Sequence, residues 1–542
     1  MGSRPKATPT FVTEDAEYFV PEVKPERVWS KQQEDIFSWF ALTDGKHAHM
    51  MNDYEAPNLV VRARAGTGKT TTILEGVKRA PEDFILLTSF GRRIVNEMKT
   101  RNESGADVQT LHALGNTYIR RNWKGIRVVG DGRARQDWLT DQAVGIDVPR
   151  QIRNLISKLH TKGREMEPLT FTVDSLLDLA WRFDLVPDES WNEFNGPFVA
   201  RGAHAAMTLA KKQIPTQQVG IDFADMIFLP LAHNLVAKDY ELVVVDEAQD
   251  MTVSQLELAV RSCSGRICIV GDDRQAIYGF RGADSGALDR LKVELKAVEL
   301  PLNVTYRCPQ TVVAKAKVLV PDFVGASDRQ GVVEQRAPGE VFTWGSGSKK
   351  TDHPGPHPGD FVLSRLNAPL VSVCLGLLRA GIPAFMAGRD IGKNLDDIIR
   401  KFKMSAVTPI EKLLEQLMRW EDKEIQKAAV NGRDDLIPAI QDRADTIRAF
   451  AENCNTVGNL IQHCQKVLVS EEDLPGGQYV LCSSVHKAKG LEADTVFFLV
   501  DTLYRRGRNQ EEENIEYVGI TRAKNRLVLV SNEFEENDYE DE

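Results

Sequence analysis

One stretch, Ala63-Arg64-Ala65-Gly66-Thr67-Gly68-Lys69-Thr70, constrains this 542-residue chain more than any other. It follows the apolar run Asn58-Leu59-Val60-Val61 and leads into Thr71-Thr72-Ile73-Leu74-Glu75-Gly76-Val77. A strand, a small-residue loop and a helix start form the context in which backbone can fold around phosphate. Gly66 and Gly68 let successive N–H groups turn inward, and the helix N-terminus adds partial positive charge. Ala65, Gly66, Thr67, Gly68, Lys69, Thr70 and Thr71 are therefore expected to cradle a nucleoside triphosphate. Lys69 would reach the β- and γ-phosphates, and the Thr70 hydroxyl would ligate Mg²⁺. The first glycine of the pattern is Ala63 here. The plain alternative is a Gly-rich turn ending in a surface lysine, and the flanking strand and helix argue against it.

The chain repeats that rhythm. Phe84-Ile85-Leu86-Leu87-Thr88 reads as a second strand, with Ser89-Phe90-Gly91-Arg92-Arg93 opening a helix. Such β-loop-α alternation predicts a parallel sheet with the site at the strand C-terminal ends. Residues 115–222 break the rhythm and read as helical, with a basic stretch at Arg120, Arg121, Lys124, Arg127, Arg133 and Arg135. A solvated charged face and a nucleic-acid surface are equally good readings of it. The run Leu242-Val243-Val244-Val245 has the unbroken apolarity of a strand buried on both faces, and it ends in Asp246-Glu247-Ala248-Gln249-Asp250. Adjacent carboxylates at such an end are costly unless they face a cation or a reaction. Asp246 would hold the metal and Glu247 would orient and deprotonate a water. After the strand Ile267–Val270, the segment Gly271 to Ala283 places Gln275 for a γ-phosphate and Phe280 or Arg281 for a base or backbone. Tyr306 can stack on a base, Arg307 can meet phosphate oxygens, and Gln32 offers the donor–acceptor pair that reads an adenine edge.

Bulk properties bound the rest. Hydrophobic content of 42% and charged content of 27% are those of a globular protein, and length suggests three or four domains. No stretch approaches the ~20 apolar residues of a membrane span, and the N-terminus carries no leader pattern, so a cytoplasmic location without membrane partners is expected. Seven cysteines form no CxxC pair, which disfavours zinc or iron–sulfur sites. The net charge of −10 owes seven acids to residues 533–542, so any nucleic-acid footprint must be a local channel.

Taken together in this order, the segments resemble the superfamily 1 helicases of the UvrD/PcrA/Rep type. The resemblance rests on Gln32, AxxGxGKT, SFxxxxxxEM, TLH, DEAQD, GDDRQAIYGFRGA, TYR, SVHKAKGLE and EYVGITRAK, across residues 28 to 531. It implies an α/β fold of two RecA-like parallel-sheet domains of the P-loop NTPase class, with mainly helical insertions. The first would comprise 28–114 and 223–298 around the insertion 115–222. The second would comprise 299–392 and 476–532 around a short helical insertion, 393–475. Residues 1–27 would be a disordered arm and 533–542 an acidic tail.

The resemblance further implies ATP and Mg²⁺ in the cleft between the two sheets. Gln32 would read adenine and Tyr306 stack on it, with Glu492 at the sugar and Gln275 as γ-phosphate sensor. Arg307 and Arg522, from the second sheet, would neutralise the transition state. Phe90, Thr110, His112, Phe280, Arg281 and His486 match positions on the single-strand DNA side. Two departures stand out: position 280 is Phe where close relatives carry Trp, and the second insertion is short. The expected activity is ATP-dependent, 3′→5′ translocation along single-stranded DNA, with partial duplexes as further substrates, serving replication, repair or recombination in a bacterial or phage-infected cytoplasm. The rival from another class is a regulatory ATPase or nucleic-acid sensor paired with a nuclease, as in anti-phage defence, docking its partner through 393–475 or the acidic tail.

Overall fold

The computed structural model describes residues 27–41, 58–129, 132–183, 185–187, 193–212, 220–279, 286–342, 355–387, 398–430, 436–452, 454–469, 479–504 and 507–532. Phe280, Arg281, the arm up to residue 26 and the tail 533–542 lie outside them.

The apolar runs read from the sequence become strands whose side chains are buried on both faces. β1 (Leu59–Ala63), β2 (Ile85–Ser89), β3 (Asp107–Val108), β4 (Tyr240–Asp246), β5 (Cys263–Gly271) and β6 (Val298–Leu302) form one sheet in the order β3-β2-β4-β5-β1-β6. Every pairing in it is parallel. Parallel neighbours need crossovers, and the crossover helices cover both faces. One face buries Val60, Leu86, Val243 and Ile269; the other buries Leu59, Val61, Leu87, Val244 and Cys268. With all strands pointing one way, the loops after β1, β2, β4 and β5 gather along a single edge.

A two-stranded ribbon, β7 (Val304–Thr305) with β8 (Val324–Gly325), follows the first sheet. The second sheet contains β9 (Val332–Arg336), β10 (Phe361–Ser364), β11 (Ala384–Ala387), β12 (Leu468–Val469), β13 (Val480–Ser484), β14 (Ala493–Leu499) and β15 (Ala523–Val530). Its order is β12-β11-β13-β10-β14-β15-β9, again parallel throughout. The α/β architecture of two parallel sheets expected from the sequence is thus observed.

Two helical groups interrupt the sheets. Between β3 and β4 the helices Arg133–Val144, Arg150–Met166, Val173–Arg182 and Gly196–Lys212 enclose their own core around Ile152, Ile156, Leu159, Leu176, Val199 and Met207. A buried charge cluster pins this group to the start of the helix Phe223–Ala232: Arg164 bonds Asp222 at 2.9 Å and Asp225 at 2.7 Å, and Arg135 bonds Asp225 at 2.8 Å. Arg135 therefore does not belong to an exposed basic face. Its guanidinium is buried because Asp225 meets it inside the helical group, a pairing that local sequence does not show. The second group, Ile410–Val430, Ile437–Ala451 and Val457–Val467, shares one core with the second sheet, where Leu413, Leu417, Ile447, Phe450 and Leu460 pack with Val362, Met386 and Phe497. No helix among the described residues is long and apolar enough to cross a membrane.

Candidate active site and strand-facing cleft

The loop after β1 runs against the second half of the chain. Gly66 and Gly68 both adopt positive φ, +69° and +79°. A Cβ at Gly66 would stand 2.5 Å from Arg307 Cβ and 2.7 Å from Thr305 Oγ1, so glycine is required for both conformation and space. Thr67 donates to the Arg64 carbonyl at 2.9 Å and Tyr306 N–H donates to the Gly66 carbonyl at 2.9 Å. Lys69 starts the helix Lys69–Arg79, with Gly68 as its N-cap. Thr71 turns its hydroxyl outward to accept from Arg101 at 2.7 Å.

At the end of β4 the two carboxylates divide their partners. Asp246 accepts from the Thr70 hydroxyl at 3.3 Å, and Glu247 meets Lys69 Nζ at 3.1 Å. Thr70 and Asp246 form an all-oxygen donor pair of the kind Mg²⁺ takes, so these residues fit that ion. Glu247 sits in the left-handed region at φ 54°, a conformation costing a non-glycine residue about 1–3 kcal/mol. Gln249 holds it there, donating to Glu247 Oε2 at 2.5 Å while accepting from Asp272 N–H at 3.0 Å. Burial and the neighbouring Glu247 charge raise the Asp246 carboxyl above its usual range. Burial would raise Glu247 too, but Lys69 and then Lys489 outweigh it and hold the group low. Burial alone would lower the Lys69 ammonium; Glu247, Asp272 and Asp246 reverse that.

The second sheet reaches across this edge. Asp272, at the end of β5, accepts from Gln275 Nε2 at 2.6 Å and from Arg64 at 3.2 Å. Gln275 Oε1 in turn accepts from Arg522 Nη2 at 3.4 Å. Burial and the nearby Arg307 pull the Arg522 guanidinium down to about 9. Arg307 donates to Glu492 at 2.6 Å and to the Thr521 carbonyl at 3.3 Å. The helix Gln510–Ile520 adds two more bridges: Ala65 N–H donates to Tyr517 Oη at 3.1 Å, and Asn514 donates to the Asp273 and Ala276 carbonyls. Of the residues named from sequence, Lys69, Thr70, Asp246, Glu247, Gln275, Arg307 and Arg522 meet at this edge. Gln249, Tyr517, Asn514 and Lys489 join them without having been singled out.

The glutamine beside the loop is not the one expected. Gln32 exchanges two bonds with Asn303, donating to Oδ1 at 2.7 Å and accepting from its N–H at 3.1 Å. Gln33 instead donates to Thr72 at 3.0 Å, accepts from Tyr306 Oη at 3.3 Å and lies 3.8 Å from where a Gly68 Cβ would be. The correction has a local cause. Ser30 and Gln33 form a capping box on the helix Lys31–Phe40, which fixes Gln33 on the buried face with Ile36, Phe37 and Phe40. Spacing of three, four and seven from Gln33 was the available signal.

Among the described residues, Phe90, Thr110, His112 and His486 belong to a second region, beside the β2 and β4 ends. Phe90 stacks on Tyr278, ring centroids 6.2 Å apart and 27° between planes. The Tyr278 hydroxyl donates to the His486 carbonyl at 2.9 Å. Thr110 caps the helix Leu111–Asn122 by accepting from Ala113 N–H, so its hydroxyl serves the fold. His112 packs edge-on against Phe223 at 5.8 Å, and burial with Arg92 lowers its pKa. A cleft of about 190 Å³ opens here, lined by Phe90, His112, Phe223, Asp250, Ser254 and Gln255.

Residues 45–296 match the UvrD/REP helicase N-terminal domain, and residues 479–530 match the UvrD-like helicase C-terminal domain. The chain is 25% identical over 507 residues to F-box DNA helicase protein 1 of Schizosaccharomyces pombe, covering 87% of this chain and 55% of that protein. It is 26% identical over 289 residues to ATP-dependent DNA helicase PcrA of Bacillus subtilis, covering 48% of this chain and 37% of the relative. A probable DNA helicase II homolog of Mycoplasma pneumoniae is 26% identical over 290 residues, with 48% and 39% covered. The chain thus spans about half or less of the length of these relatives.

Proposed function

The chain belongs to the UvrD/PcrA-like superfamily 1 helicases, and from that premise we propose that it is an ATP-hydrolysing motor moving 3′→5′ along single-stranded DNA. One observation carries the reading: side chains of the first half (Lys69, Thr70, Asp246, Glu247, Gln275) and of the second (Arg307, Arg522) are joined by direct contacts, Arg522 to Gln275 and Arg307 against the Gly66 loop. Thr70 and Asp246 would hold Mg²⁺, which supplies charge neutralisation to the phosphates when bound. Lys69 would exchange Glu247 for phosphate oxygens, and loss of that ion pair raises the basicity of Glu247 towards a water. Glu247, aimed by Gln249, then orients that water and accepts its proton. Gln275 positions the water or the terminal phosphate, while Arg307 and Arg522 stabilise the charge that develops. An arginine supplied across a cleft is worth roughly 10³–10⁵ in rate, which makes hydrolysis depend on closure of the two sheets. Gln33 and Tyr306 take the base and Glu492 the sugar. Phe90, Tyr278 and His112 support a strand path read by stacking and not by sequence.

Streptavidin displacement tests direction and motor activity together. With ATP, the protein should displace streptavidin from the 5′ end of a biotinylated oligonucleotide and leave it on the 3′ end; Lys69→Ala should displace neither. Displacement from the 3′ end would overturn the polarity, and an active Lys69→Ala would overturn the site.

A further inference from the structure

Lys489 lies in the turn after β13, on the second sheet, yet every donor of its ammonium is spent on the first. It donates to Asp250 Oδ1 and Oδ2, both at 2.7 Å, and to the Gln275 carbonyl at 2.6 Å. The pair is nearly excluded from water, with side chains 8% and 5% exposed. The same ammonium stands 5.2 Å from the centre of the Tyr278 ring, whose ring neighbours include Phe90 and His486. Asp250 is tied back to the proposed catalytic turn, its N–H donating to the Glu247 carbonyl at 3.0 Å, and it also lines the cleft beside Phe90 and His112. No other side chain described above touches the carboxylate turn, the Gln275 backbone and the aromatic wall at once.

We propose that the Lys489–Asp250 pair is the positioning device through which occupancy of the strand-facing cleft controls hydrolysis. The proposal rests on the motor reading above. Breaking a buried pair leaves an uncompensated charge, so the contact behaves as a two-state latch and not as a graded one. When the latch is made, the 247–250 turn and Gln275 are held in register with Arg522. A base stacked at Phe90 and Tyr278 presses on the ring beneath Lys489 and favours the made state. Neither residue touches the phosphate loop, and Lys489 reaches Glu247 through its charge and not by contact, so both are positioning residues that do not meet the reacting atoms.

The test measures steady-state ATP hydrolysis with and without a deoxythymidine oligomer for wild type, Lys489→Met, Asp250→Asn, the double variant and Lys489→Arg. Lys489→Met and Asp250→Asn should each lower the DNA-stimulated kcat by about tenfold or more, with KM for ATP and oligomer affinity changed by less than about threefold. The double variant should be no slower than the slower single, because both remove one interaction, and Lys489→Arg should recover part of the stimulation. Asp250→Asn keeps the shape of the side chain and reads the latch even where Lys489→Met folds poorly. A stimulated wild type whose stimulation survives in Lys489→Met and Asp250→Asn overturns the latch alone, as do multiplicative losses in the double variant. A wild-type rate indifferent to the oligomer overturns both the latch and the motor reading beneath it.

Discussion

Gln33 shows how one residue's role follows from the bonds it can and cannot make. Its amide is fixed from both sides, by the capping box at Ser30 and by Thr72 and Tyr306, so it cannot rotate freely. A planar donor–acceptor group held beside a half-exposed tyrosine suits a purine edge. Gln32, one residue away, is turned to Asn303 and not to the helix that follows the loop. Gln33→Ala should therefore raise KM for ATP by roughly tenfold, the effect of about 1.4 kcal/mol, while Gln32→Ala changes it less than threefold. ATP titrations of the two variants check this, and a larger effect at position 32 would return the role to that residue. The sequence pointed to a glutamine at this helix start; choosing between two adjacent ones needed the helix phase, which Ile36, Phe37 and Phe40 carry.

At the scale of elements, the most demanding contact is where the helical group leaves and re-enters the first sheet. The helices Leu111–Asn122 and Phe223–Ala232 cross at Gly115, where an added Cβ would lie 1.9 Å from the Met226 carbonyl oxygen. That neighbour is backbone and cannot rotate away. Gly115→Ala should cost about 1–3 kcal/mol or more, as overpacking does. Urea denaturation reads it as a lower midpoint at unchanged slope, and an unshifted midpoint would show that the helices separate without penalty. Strands and phosphate loop were legible because buried parallel strands and Gly-rich turns have local signatures. Arg135 was not, since its burial depends on Asp225, ninety residues on and itself on a buried helix start. Nor was the packing of Ile410–Val430: Leu413 and Leu417 mark an apolar face by spacing, but nothing nearby says that the second sheet covers it.

For the molecule as a whole, the two sheets already share side chains. Ala65 and Ile277 of the first pack into one cluster with Cys308, Val312 and Tyr517 of the second half. Tyr517, Asn514, Arg522 and Lys489 add polar bridges between the same bodies. The order of the motifs foretold the meeting only in part: the loops after β1, β4 and β5 end parallel strands on one edge, whereas Arg522 precedes β15 and Arg307 follows β7 of the β7–β8 ribbon. The bridges themselves were hidden, since most run from residues within a recognised motif to partners hundreds of positions away. If closure of these bodies couples strand binding to chemistry, one measurement addresses it most directly: steady-state ATP hydrolysis without nucleic acid, with single-stranded DNA and with single-stranded RNA. A rate raised about tenfold or more by DNA is the predicted result, since closure would supply Arg307 and Arg522 to the phosphates. A rate the same in all three conditions would contradict a strand-driven motor and favour an ATPase that answers to a protein partner.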